Sequence, residues 1–425
     1  MTIEKTDTLV VGGGQAGIAA SEHLSNNNIP HIVLEKNRTA EAWRTGRWDA
    51  LVANGPAWHD RFPNMLFEGN DPDEFVTKDR FAQYLIDYAA MIKAPIREGV
   101  EVVEATRQPG KGGFLVTTSA GEIECNRIIA ATGAFQHPVI PPIVPEEAGI
   151  DQIHSFYYKN PKQLADGAVM VVGAGSSGAQ IADELNRAGR KVFLSVGPHD
   201  RPPRRYRGRD FVWWLGVLGL WDMAAPAPGT EHVTISVSGA YGGRTMDFRR
   251  LGNEGVRLTG LTAGYADGVL SFKGDLQENV ANGDANYKEV LDMADAYVER
   301  TGIALPEEPE ARIVHPDPDS LAIPLTGINL AEEGVTTIIW ATGFRQDFKW
   351  LKEDAFDERG APVHQRGVSK APDVYFLGLP WQSRRGSSFL WGVWHDAKYV
   401  ADQIAIQCSY GKYEGEAAVV ASAAE

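Results

Sequence analysis

Apolar positions in this chain gather in short runs closed by glycine turns, and their order predicts the elements. "TLVV", Thr8–Val11, reads as a buried strand. It enters "GGGQAG", a helical pattern follows, and a second strand, "HIVLEK", comes next with Glu35 at its end. The same succession returns 161 residues later. There "GAVMVV" enters "GAGSSG", then the helical stretch "AQIADELNRAG" and the strand "KVFLS", which ends at Ser195. Between the two units the pattern predicts a helix over Lys78–Met91, an alternating β-rich stretch over Val100–Gly133 and an extended connector, "HPVIPPIVP". The second unit goes on to contain a glycine-rich insertion with short strands (Ser236–Leu276), and a helix over Asn286–Thr301 follows. A strand in "TTIIWATGF", the element "DVYFLGLPW" and a helix starting near Ser388 complete the order.

Each glycine turn has a chemical reading. Gly12, Gly14 and Gly17 fit GxGxxG, with Gln15 and Ala16 between the last two. The first glycine permits the tight turn, the second lets a pyrophosphate approach the backbone, and the third lets the helix pack on the strand. The helix N-terminus then offers free N–H groups to the diphosphate. Glu35 lies 18 residues beyond Gly17, where an acid binds the ribose hydroxyls of an adenine dinucleotide, with Lys36 beside it. In the second turn Gly173, Gly175 and Gly178 repeat the motif, with Ser176 and Ser177 at the helix start. Here Ser195 stands where the first unit has its acid, and a serine can donate to a 2′-phosphate. "HDRPPRRYRGRD" follows with Arg201, Arg204, Arg205, Arg207 and Arg209, and guanidinium forks suit phosphate. The first site therefore suits FAD and the second NADPH.

The tripeptide ATG closes two apolar strands, at Ile128–Gly133 and Ile338–Gly343, where small residues let backbone approach a cofactor. Thr132 and Gly133 join the candidate FAD contacts on this ground. The expected fold is α/β with two Rossmann-like dinucleotide-binding domains, the FAD domain discontinuous. Residues 1–160 and 325–425 would form the FAD-binding domain, and 161–324 the NADPH-binding domain with its β-rich insertion.

Composition narrows the class. A chain of 425 residues, 43% hydrophobic and 23% charged, holds two domain cores. A net charge of -15 argues against nucleic acid and anionic membranes as partners. The longest apolar run, "FVWWLGVLGLW" at Phe211–Trp221, is about half the ~20 residues of a membrane span, and an exposed run of this kind would offer a homodimer interface. "MTIEKTDTLVV" has no signal-peptide pattern. Cys125 and Cys408 are isolated, which excludes a CxxC dithiol and a cysteine zinc site and fits reduced thiols in the cytoplasm.

The two GxGxxG turns, "ATGAFQHPVIPP" and "WATGF" together resemble the flavin-containing monooxygenases, the class B flavoproteins. That family's marker FxGxxxHxxx(Y/F) is met at His154 and Tyr158 in "AGIDQIHSFYYKNP", while Ala148 and Ile150 depart from its first two positions. Tyr158 stands where Baeyer–Villiger relatives carry Trp. The resemblance implies NADPH, FAD, O2 and a small organic substrate, with one oxygen atom transferred through a C4a-(hydro)peroxyflavin. It implies that Asn54 bonds the flavin peroxide or the nicotinamide, and that Trp43 and Arg44 line the FAD. Asp60 and Arg61 are candidates to face the pocket. Trp381, Phe389, Trp391, Trp394 and His395 are either packing or substrate contacts, and Arg384 and Arg385 meet an acidic substrate or a cofactor phosphate. His154 reads as a hydrogen-bonded hinge. An NADPH dehydrogenase passing electrons to a partner, and a non-catalytic nucleotide-binding protein, are the alternative readings.

Overall fold

A computed structural model describes residues 3–69, 71–225 and 234–422, with side chains described to residue 411. The first unit consists of β1 (Glu4–Val11), α1 (Gln15–Asn26), β2 (His31–Glu35), α2 (Glu41–Arg44), α3 (Lys78–Met91), β3 (Ile96–Glu98), β4 (Val102–Arg107), β5 (Phe114–Thr118) and β6 (Gly121–Ala130). The second holds β7 (Asp151–His154), β8 (Ala168–Val172), α4 (Ser176–Arg187), β9 (Val192–Ser195), α5 (Phe211–Val217), α6 (Phe248–Asn253), β10 (Arg257–Thr259), α7 (Leu276–Thr301) and β11 (Val335–Trp340). The chain then supplies β12 (Leu351–Lys352), β13 (Val374–Phe376) and α8 (Leu390–Ser422).

Two large sheets result. The ten-stranded sheet runs β12–β4–β5–β6–β1–β2–β3, with β13 joined to β6. Its centre is parallel: Val11 lies opposite both Leu34 of β2 and Ala130 of β6. β1 is apolar on both faces because both are covered. Val10 packs towards α1, α3 and α8 among Ile18, Leu85 and Val400, while Leu9 packs on the other side against Phe114 and Val116. The five-stranded sheet, β10–β9–β8–β11–β7, is wholly parallel. Val169 and Val171 of β8 face α4 at Ile181 and Leu185, and Met170 and Val172 face Phe193, Leu270 and Trp340.

The expected division at residues 160 and 325 does not follow these sheets. β7, before 160, and β11, after 325, both pair into the five-stranded sheet, so "TTIIWATGF" ends a strand of the second unit. The chain rejoins the first sheet at β12 and β13. α7 begins at Leu276 rather than Asn286, because its first turns bury Asn279, Gly283 and Asp284 beside Leu276 and Val280, which breaks the apolar periodicity. Gly283 within it is a close approach, since a Cβ there would lie 2.5 Å from His199 Nε2. The run Phe211–Trp221 is not an exposed patch: Phe211, Val212, Trp214, Leu215 and Trp221 are all buried, packing against Val290, Leu291 and Ala294 of α7. The ground for a homodimer interface there is removed. Among the described residues no helix is long and apolar enough to cross a membrane.

Candidate functional site

The two turns share one backbone. At Gly12 φ is +117°, and a Cβ would lie 2.4 Å from the Ala131 carbonyl oxygen; at Gly173 φ is +112°, and a Cβ would lie 2.5 Å from that of Ala341. Each position is glycine because an ATG turn presses directly against it. Gly17 and Gly178 are constrained from within, their Cβ positions 1.8 Å from the carbonyl oxygens of Gly12 and Gly173.

The middle glycines differ in their surroundings. Nothing lies within 4 Å of a Cβ on Gly14, and α1 has no side-chain cap. Its first N–H groups and positive dipole end therefore face open space. Gln15 donates to the Ser388 carbonyl at 2.8 Å, and Ala16 is buried beside Gly378. Glu35 accepts from Gly13 N and Asn37 N at 2.8 Å each, which leaves lone pairs on both oxygens. Arg44 carries a buried Nε with no partner, Trp43 stacks on Phe81 at 4.0 Å, and Lys36 is exposed. Thr132 Oγ1 accepts from Gln136, and Gly133 opens to free space at φ +80°. Backbone donors, an orphaned guanidinium nitrogen and a strand-end acid fit FAD, with the diphosphate on α1 and a ribose at Glu35.

The second turn is covered by its own chain. The Ile235 carbonyl accepts from Ser176 N at 2.9 Å and from Ser176 Oγ at 2.8 Å. Val237 N donates to Ser176 Oγ at 3.2 Å, and the Val237 carbonyl accepts from Gln180 at 2.6 Å. Ser236 Oγ bonds the Ala174 carbonyl, and a Cβ on Gly175 would lie 3.3 Å from Thr234 Cγ2. Segment 234–238 thus fills the place at the α4 N-terminus that a diphosphate takes, with only Ser177 exposed. As folded, these residues do not fit a dinucleotide.

The residues expected to read the 2′-phosphate are committed elsewhere. Ser195 is 1% exposed; it donates to the Gly260 carbonyl at 2.9 Å and accepts from Thr262 N and Oγ1 at 3.0 and 2.9 Å. Arg201 is buried with Nε 2.9 Å from Asp284, and Arg204 is buried with Nε 3.0 Å from Asp210. A guanidinium out of water needs a carboxylate, and α7 and the start of α5 supply them. Arg207 pairs with Asp295 at 2.6 Å, while Arg205 and Arg209 stay exposed.

Asn54 sits where the two units meet. Its Oδ1 accepts from Gln180 Nε2 of α4 at 3.0 Å, its carbonyl accepts from Arg204 at 2.5 Å, and Nδ2 is left as a spare donor. His154 is buried at the end of β7. Its Nδ1 accepts from Phe156 N at 3.1 Å, so Nε2 donates to the Gly343 carbonyl at 2.9 Å. Burial holds its pKa below the ordinary imidazole value, as suits a neutral hinge residue. Tyr158 is buried beside Glu184, whose carboxyl burial pushes up to about 7.

Sequence reading missed Gln180 and segment 234–238, for which spacing carries no signal. It also missed that His59 pairs with Asp60, although their adjacency in "AWHDRFP" was available. Of the expected aromatics, Trp391 comes within 4.9 Å of His395, and Trp394 lies 4.4 Å from His23 on α1.

The pyridine nucleotide-disulphide oxidoreductase family pattern matches residues 9–207. An uncharacterized CzcO-like oxidoreductase of Geobacillus kaustophilus is 34% identical over 403 residues, covering 94% of this chain and 98% of the relative. The indole-3-pyruvate monooxygenase YUCCA1 of Oryza sativa subsp. japonica is 33% identical over 394 residues, covering 89% and 84%. Among solved structures, a flavin-containing monooxygenase from Stenotrophomonas maltophilia shares the fold with a TM-score of 0.65 at 19% identity, covering 96% and 100%. Similar over nearly its whole length to these proteins, the chain belongs to the class B flavin-containing monooxygenase family.

Proposed function

We propose that this protein is an NADPH-dependent flavin monooxygenase that places one oxygen atom of O2 on a small organic substrate. The observation that carries the reading is the open first turn at Gly14, with Asn54 joined to Gln180 of the second unit. FAD bound at the first turn supplies electron transfer and oxygen activation, which no protein side chain provides. The chain's own part is to bind, orient and exclude water. Backbone N–H groups of Gly14–Ala16 take the diphosphate, and Glu35 takes ribose hydroxyls. Asn54 presents Nδ2 at the junction while Gln180 fixes its orientation through Oδ1. NADPH enters the reading as reductant at the second turn, which requires segment 234–238 to withdraw.

The disulphide-reductase chemistry in the matched family's name is not part of this proposal. Cys125 is buried in β6 and Cys408 lies on α8, with no disulfide between them.

The test is oxygen labelling with methyl phenyl sulfide and cyclohexanone as probes. Under 18O2, NADPH oxidation should deliver label into sulfoxide or lactone. Asn54→Ala should cut product per NADPH by about tenfold while NADPH is still consumed, as expected when a reactive site loses its positioning donor. Label-free turnover in which electrons pass only to an added dye acceptor would support the dehydrogenase reading instead.

A further inference from the structure

The segment after Asn54 builds a group that the flavin reading leaves unused. His59 and Asp60 both donate backbone N–H to the Pro56 carbonyl at 3.0 Å, a tight turn that sets the two side chains together. His59 Nδ1 lies 2.8 Å from Asp60 Oδ1, and Asp60 Oδ2 accepts from Gly55 N at 2.9 Å. A carboxylate only accepts, so Nδ1 carries a proton, and in the neutral ring Nε2 presents a lone pair. That Nε2 is buried without a partner, in a residue 8% exposed. An unmet buried acceptor costs about 1–3 kcal/mol, so a group that satisfies it binds with that advantage.

Indole rings surround it. The imidazole stacks 5.1 Å from Trp221 at 16° and 5.9 Å from Trp391 at 27°, and it meets Trp58 edge-on at 5.4 Å. Trp58 and Trp391 are half-buried, and Phe389, edge-on to Trp221 at 5.2 Å, is exposed, so the cluster reaches solvent. Phe211, Leu215 and Val290 of the same cluster line a separate cavity of about 170 Å³ together with Asp200, Asn286, Glu289 and Arg385. Arg61 donates to the carbonyls of Trp58, Phe62 and Pro63 and Arg384 pairs with Asp222, while Arg385, on the cavity wall, keeps a buried Nε without a partner. The cluster also adjoins the first glycine turn, because Trp391 follows Ser388, which accepts from Gln15.

We propose that the cleft of Trp58, Trp221 and Trp391 binds a small neutral aromatic ligand bearing an O–H or N–H group, which donates to His59 Nε2. The ligand is the substrate of the proposed oxygenation, so the identification rests on that reading; the binding does not.

The test is calorimetric titration of the full chain, purified with its flavin and without NADPH, using phenol and anisole. The two share a ring and differ in O–H against O–CH3, and partition from water alone favours anisole. The wild type should bind phenol about 5- to 10-fold tighter, the value of one hydrogen bond at a buried acceptor. His59→Phe should bring the ratio to about one with anisole affinity kept, and His59→Gln, which retains an acceptor, should restore part of it. Should His59→Phe fail to fold, Asp60→Asn serves: it releases the tautomer and should shrink the ratio. No preference for phenol in the wild type, or a preference unchanged in these variants, overturns the proposal. Since no turnover is involved, a failed oxygen-labelling experiment leaves this result readable by itself.

Discussion

The two glycine turns agree to within 5° in φ at Gly12 and Gly173, yet one opens to space and the other is covered. Their glycines are dictated by the same close approaches, to Ala131 and Ala341 and to the turn's own first carbonyl. What differs comes from far along the chain. Segment 234–238 spends its carbonyls and hydroxyls on Ser176, Gln180 and Ala174, whereas among the described residues no side chain caps α1. A GxGxxG motif therefore specifies a backbone shape. Whether that shape is available to a nucleotide is a tertiary property.

The comparison can be broken at two levels. The largest effect belongs to the shared backbone: Gly12→Ala and Gly173→Ala should each destabilise by about 2–4 kcal/mol in thermal or denaturant unfolding, since both place a methyl on a carbonyl at positive φ. A cost at only one of them would mean that the turns are not equivalent. The smaller effect belongs to the cover. Ser236→Gly removes the hydroxyl that ties the segment to Ala174, and it should raise NADPH affinity about 5-fold in fluorescence titration, the value of one hydrogen bond to be broken on binding. Unchanged affinity would mean that nucleotide does not displace this segment.

Much of the scaffold was legible. Lys78–Met91 is found as read, because its apolar positions recur at helical spacing and Thr77 caps it through Arg80 N. The first turn was legible through to Glu35 because all its parts are local. The fate of the arginine run was not: Asp284 and Asp295, which bind Arg201 and Arg207, come from α7, more than 80 residues later. β11 was assigned to the wrong sheet for a related reason. "TTIIW" is apolar enough for any buried parallel strand, and only its ladders with β8 and β7 decide its place. Ser195 sits at the expected strand end, but a hydroxyl is small enough to be turned inward, and Gly260 and Thr262 take it up.

The central claim is that flavin sits on the first turn and not the second. Flavin content, read from visible absorbance per chain, tests it in Gly14→Val and Gly175→Val. A Cβ at Gly14 has no atom of another segment within 4 Å among the described residues, and it enters the space assigned to the diphosphate. Gly14→Val should therefore fold and lose its flavin, and Gly175→Val should keep it. Flavin retained in Gly14→Val, or lost only in Gly175→Val, would contradict the assignment.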